Sequence, residues 1–149
     1  MIIPAGFQYV SSRCKVVARP GALDALAAEA DAIGVRRLML VSGTRSARGA
    51  AAQATRAALG SLIVCEAVGV PPHSGIDTVE SMVARARQES VDGFVAVGGG
   101  SASDSAKAAA ILLGEGGTLA DHAKPRLSIL NLKAAQWTGS QLKLGILSW

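Results

Sequence analysis

The apolar run Phe94-Val95-Ala96-Val97 is followed at once by Gly98-Gly99-Gly100, and then by Ser101-Ala102-Ser103-Asp104-Ser105-Ala106-Lys107 and the apolar stretch Ala108 to Leu113. Few folds accommodate that order. Four apolar residues read as a strand buried on both faces, three glycines as a loop, and the alanine-rich segment as a helix. A strand, a glycine loop and a helix N-terminus in succession suit nucleotide phosphates. Without side chains in the way, backbone N–H groups approach an anion closely, and the helix adds unpaired N–H groups and the positive end of its dipole. Ser101 reads as the N-cap of this helix, with Asp104 completing a capping box. Asp104 has a second reading as a carboxylate that accepts hydrogen bonds from a nicotinamide or a ribose. Lys107, one turn on, reaches a phosphate or points into solvent. No Gly-Lys-Ser/Thr follows, so the loop is not a Walker A sequence, and it departs from the strict Gly-x-Gly-x-x-Gly pattern.

The rest of the chain alternates in the same way. Cys14 to Ala18 reads as a strand, broken by Pro20-Gly21 before Leu23, Leu26, Ala27, Ala30 and Ile33 mark one face of a helix that stops at Gly34. Leu38 to Val41 is a strand ending at Ser42-Gly43-Thr44, and helical spacing runs from Ser46 to Leu59. Leu62 to Cys65 is a further strand. After Pro71-Pro72-His73-Ser74-Gly75, the residues Val79, Met82, Val83 and Ala86 recur at helix spacing. This alternation predicts an α/β fold, a Rossmann-like, mostly parallel sheet with helices on both faces. Right-handed crossovers then place the loops at Ser42 and Gly98 along one edge.

Half of the residues are hydrophobic but only 3% are aromatic, so helices can pack closely on a sheet through small side chains, which favours α/β over an aromatic-rich binding barrel. The formal charge of +4 is spread along the chain rather than gathered into a stripe, which argues against a nucleic-acid partner. No stretch approaches the ~20 apolar residues of a membrane span, and the N-terminal residues lack a signal-peptide pattern. Cys14 and Cys65 sit in apolar strand-like stretches without a Cys or His at a metal-ligand spacing. They read as reduced core residues of a cytoplasmic protein.

The pattern Gly98-Gly99-Gly100-Ser101-x-x-Asp104-x-Ala106-Lys107 resembles the glycine-serine signature of the iron-containing (group III) alcohol dehydrogenases, which include maleylacetate reductases, lactaldehyde reductases and glycerol dehydrogenases. The likeness extends from about residue 10 to 129, with Val68 to Thr78 matching the family's proline-containing link. It implies an N-terminal cofactor-binding domain over residues 1–129 that takes NADP or NAD. Gly98, Gly99, Gly100 and Ser101 would hold the pyrophosphate, Asp104 would face the nicotinamide side, and Gly43, Thr44 and Arg45 would meet the adenosine end. NAD-preferring members often carry an aspartate where this chain has Gly43. Its absence removes a group that would repel a 2′-phosphate, and Thr44, Arg45 and Arg48 add partners, which puts NADP ahead of NAD. The other reading of the two arginines is a solvated helix start. Ser42-Gly43-Thr44 and Ser103 are similar to the maleylacetate reductase branch.

The family also implies iron or zinc, held by one aspartate and three histidines of a C-terminal all-helical domain, where the metal polarises the alcohol or carbonyl oxygen. Here the histidines are His73 and His122, both in loop-like stretches. Neither reads as a ligand, and no catalytic residue is assigned. Beyond Ile129 the family continues with a proline and a threonine-rich loop, whereas this chain runs into a segment that holds both of its tryptophans. Residues 130–149 therefore read as an atypical tail, through truncation, frameshift or an altered terminus, or as an amphipathic extension whose Leu142, Leu144, Ile146 and Leu147 pack on the sheet or on a partner. The expectation is an NAD(P)-dependent oxidoreductase in an incomplete copy, lacking the metal domain, with a homodimer partner or a missing complementary domain. The alternative is a catalytically inactive nucleotide-binding or structural remnant. The substrate is not legible.

Overall fold

The computed structural model describes residues 7–11, 14–122 and 143–148. Its first elements are β1 (Phe7–Ser11) and β2 (Cys14–Ala18), an antiparallel pair forming a two-stranded sheet of its own. There follow α1 (Leu26–Ala32), β3 (Leu38–Ser42), α2 (Ala50–Leu59), β4 (Ile63–Val68), α3 (Ile76–Gln88), β5 (Gly93–Gly98), α4 (Gly100–Glu115), α5 (Leu119–His122) and β6 (Lys143–Ser148). The second sheet has the order β4-β3-β5-β6, and each neighbouring pair is parallel. The expected α/β fold with a parallel sheet is thus present. No helix among the described residues is long and apolar enough to cross a membrane.

β3 is buried throughout and β5 from Gly93 to Val97, as continuous apolar runs demand when helices cover both faces of a sheet. On one face Met39, Val41, Phe94 and Ala96 pack with Val79, Met82 and Val83 of α3 and with Ala102, Ala106 and Ala109 of α4. On the other face Leu38, Leu40, Val95 and Val97 pack with Ala30 of α1 and with Ala52 and Leu59 of α2. The alternation along each strand assigns α3 and α4 to one face and α1 and α2 to the other. Alanine at the α4 contacts lets that helix lie close to the sheet. At the N-terminal end of the sheet, Asp92 accepts hydrogen bonds from the backbone N–H groups of Arg36 (3.1 and 3.0 Å) and Arg37 (2.7 Å), tying the start of β3 to that of β5. Lys15 pairs with Glu29, joining β2 to α1.

Several boundaries differ from the sequence expectation. The helices predicted from Leu23 and from Ser46 each begin with a 3₁₀ turn, Ala22–Ala25 and Ser46–Arg48, because Gly49 is extended and starts α2 afresh while Gly21 is left-handed. β4 runs on past Cys65 to Val68. A charged residue, Glu66, hides that continuation in the sequence, and its charge is matched by Arg56 of α2. The guanidinium makes a two-pronged contact, Nε to Oε1 and Nη2 to Oε2, each at 2.7 Å. Cys65 is buried and free, and burial pushes its thiol up, while the side chain of Cys14 lies outside the described residues. Within residues 130–149, Lys143–Ser148 pairs with β5 from Gly93↔Lys143 to Gly98↔Ser148.

The Arg56 hydrogen bonds hold the Glu66 carboxyl below its ordinary value of 4.5. A carboxylate with a depressed folded-state pKa stabilises the protein above its unfolded pKa, and that contribution fades as pH falls through the folded value. Glu66→Gln is therefore expected to lower the melting temperature at pH 7. Scanning calorimetry should show the gap to wild type closing as pH drops below about 4.5. A gap that widens with acid would contradict this role.

Candidate functional site

β4 lies on one side of β3 and β5 on the other, so the strand order reverses between β3 and β5. In open α/β sheets a crevice forms at such a point, beyond the C-terminal strand ends. Three loops meet there. The turn after β3 carries Gly43 to Arg48, and on one side of it Gly69 and Val70 donate their N–H groups to the Ser42 carbonyl at 2.9 and 3.1 Å. On the other side lies the glycine loop after β5. Ser46 of the central turn sits against Gly98 so closely that a Cβ on Gly98 would lie 2.8 Å from Ser46 Oγ and 3.2 Å from Ser46 Cβ. Gly98 also has φ +136°, a conformation that side chains rarely adopt. The expected juxtaposition of the Ser42 and Gly98 loops is present.

The helix start differs from the sequence reading. Gly99, not Ser101, is the N-cap of α4, and no side chain caps the helix. Ser101 already lies within the first turn, because the backbone turn at Gly98 and the extended Gly99 start the helix two residues early. The helix gains its capping carbonyl from Gly99, which accepts the Ser103 N–H at 3.3 Å, while Ser103 Oγ donates to the Gly100 carbonyl at 3.0 Å. Among the described residues, the leading N–H groups of this 16-residue helix are therefore left without a side-chain cap. Among the described residues a Cβ on Gly99 would meet nothing within 4 Å, and both Gly99 and Gly100 are exposed. Backbone donors in such an exposed position are chemically suited to an anionic group.

Asp104 is exposed one turn further along, and Lys107 Nζ lies 3.5 Å from its Oδ1. Thr44, Arg45 and Arg48 are exposed on the central turn, and Gly43 leaves that turn without a carboxylate. The Ser42 hydroxyl, fully buried at the end of β3, has no hydrogen-bond partner among the described residues. Ser46 carries no sequence signal, since only the packing of two distant loops sets it against Gly98. The loop 71–74 is fastened to α4 through Ser105 Oγ, 2.7 Å from Ser74 Oγ, and Ser74 Oγ donates to the Pro71 carbonyl at 3.1 Å. His73 is exposed on that loop with φ 55°. His122, read as a loop residue, instead ends α5, with Nε2 2.9 Å from the Gly116 carbonyl. No three His, Cys, Asp or Glu side chains among the described residues come together in a way that could hold a metal ion.

A family profile described as iron-containing alcohol dehydrogenase matches residues 14–143. The chain belongs to this family. The match extends past residue 129. The chain is 36% identical over 103 residues to a 4-hydroxybutyrate dehydrogenase of Cupriavidus necator, covering 69% of this chain and 27% of the relative. It is 32% identical over 80 residues to alcohol dehydrogenase 4 of Schizosaccharomyces pombe, covering 50% of this chain and 19% of the relative. Among solved structures, the NADH-dependent butanol dehydrogenase A of Thermotoga maritima superimposes with a TM-score of 0.56 at 30% identity, over 60% of this chain and 23% of that one. The chain thus spans only 19–27% of the length of these relatives.

Proposed function

We propose that the chain supplies the nicotinamide-dinucleotide site of an NAD(P)-dependent alcohol- or carbonyl-active oxidoreductase. The observation that carries this reading is the uncapped N-terminus of α4, opening beside Gly99 at the point where strand order reverses. Backbone N–H groups at Gly99, Gly100 and Ser101 would hold the pyrophosphate, assisted by the helix dipole. The Gly43-Thr44-Arg45 turn would receive the adenosine end, with Gly98 setting its distance from the phosphates through Ser46. Asp104 would face the nicotinamide side. When bound, the dinucleotide supplies hydride chemistry.

NADP is favoured over NAD because no carboxylate at position 43 opposes a 2′-phosphate, and Arg45 and Arg48 lie exposed close by. The NADH-dependent relative from Thermotoga maritima makes the comparison a direct one to test. The family's iron or zinc has no fitting donor set among the described residues, so no step of the chemistry is assigned to a metal here. We further place the cofactor-binding unit over residues 1–129, with 130–149 as an atypical tail whose Lys143–Ser148 adds a strand beside β5. A cytoplasmic location agrees with the free, buried Cys65. A homodimer or a complementary domain would complete the assembly, and the maleylacetate reductase branch is supported by Ser42-Gly43-Thr44 and Ser103.

Titrating the purified chain with NADPH and with NADH by calorimetry tests the reading. Saturable binding with NADPH the tighter ligand is expected, and a folded chain that binds neither would overturn it.

A further inference from the structure

The turn that carries Gly43 to Arg48 is held from outside the crevice. Arg56 of α2 engages both carboxylate oxygens of Glu66 at 2.7 Å, and its remaining terminal nitrogen, Nη1, donates to the Ala47 carbonyl at 2.8 Å. The Ala47 N–H in turn donates to the Gly43 carbonyl at 2.9 Å. A hydrogen-bonded chain therefore runs from β4 through Glu66, Arg56 and Ala47 to Gly43. Because a guanidinium is planar, fixing two of its nitrogens on a carboxylate also fixes the direction of the third. The position of the Ala47 carbonyl is then set by a strand, not by the turn alone. Ser46, the residue before Ala47, is the one seated against Gly98.

We infer that Arg56 and Glu66 are positioning residues for the dinucleotide. They hold the central turn against the glycine loop, so that Thr44 and Arg45 stand at a fixed distance from the N–H groups of α4. This rests on the nucleotide reading above. Neither side chain needs to touch the ligand. The role differs from simple bracing of β4 on α2, because it requires the third bond, to Ala47, in addition to the ion pair.

That difference supplies the test. Arg56→Lys keeps the charge but cannot hold Glu66 and Ala47 together, and is expected to weaken NADPH binding about tenfold at a temperature where circular dichroism shows the variant fully folded. The exchanged pair Arg56→Glu with Glu66→Arg restores opposite charges across the same gap, yet puts an acceptor beside the Ala47 carbonyl. Its melting temperature should recover relative to Arg56→Glu alone, while its affinity for NADPH stays at least tenfold below wild type. Should Arg56→Lys fail to fold, Glu66→Gln serves the same comparison, with a smaller loss of affinity in the same direction. Wild-type affinity in the folded variants, or recovery of affinity together with stability in the exchanged pair, would overturn this inference alone. Absence of binding by the wild-type chain would overturn the nucleotide reading and this one together.

Discussion

Gly99→Asp is expected to fold as the wild type does and to lose NADPH binding by at least a hundredfold. A Cβ at Gly99 meets nothing within 4 Å and the backbone there is extended, so the substitution carries little steric or conformational cost. A carboxylate at the N-cap also suits the helix itself, since aspartate can accept a hydrogen bond from a first-turn N–H. It would occupy the donors that an anion needs and oppose the anion's charge. Two unit charges ~4 Å apart repel by about 4 kcal/mol at an effective dielectric of ~20, and each 1.4 kcal/mol is about tenfold in affinity. Salt screening reduces this, and a hundredfold loss allows for it. Calorimetric titration beside a thermal melt separates the two effects. Binding that survives in the aspartate variant would place the nucleotide phosphates elsewhere.

One residue earlier the outcome inverts. Gly98→Ala is expected to lower the melting temperature by on the order of 10 °C, from two causes of similar size. A side chain at φ +136° costs about 1–3 kcal/mol in backbone strain, and forcing a methyl group towards Ser46 costs about 1–3 kcal/mol more. For a chain of this length each kcal/mol moves the transition by about 2–4 °C. Adding Ser46→Gly should return the contact portion and leave the backbone portion. A thermal melt of the single and double variants checks both, and an unchanged melting temperature in Gly98→Ala would mean that the two loops are not packed as described. Adjacent glycines thus carry different duties. Gly98 lets the loops meet, and Gly99 leaves room beside the helix N-terminus.

Much of this was legible in the sequence because the central strands are apolar on both faces. Leu38 to Val41 and Phe94 to Val97 stand out without any periodicity analysis, and they bracket the crevice. Glu66 concealed the second half of β4, since a charged residue in a strand becomes intelligible only once Arg56, on another element, is known to face it. The misplaced N-cap has a similar origin. Serine with an acidic residue three positions on is a sound local signal, but the turn at Gly98 lets the backbone begin the helix sooner. The antiparallel pairing of Phe7–Ser11 with Cys14–Ala18 is not legible in the sequence because β1 has no uninterrupted apolar run. Arg56 and Ser46 gain their roles from tertiary contacts between distant segments, which no local pattern encodes.

The parallel arrangement also has a consequence in time. β3 cannot meet β5 by a short hairpin, because Leu38 aligns with Gly93 across a long intervening connection that includes α2, β4 and α3. Such pairings carry their loop-closure cost before they return any stabilisation, so chains dominated by them fold slowly. The crevice between the ends of those two strands exists only after that late step. During synthesis, the surface that would receive a dinucleotide is absent until residues beyond Gly98 have emerged and β5 has docked beside β3.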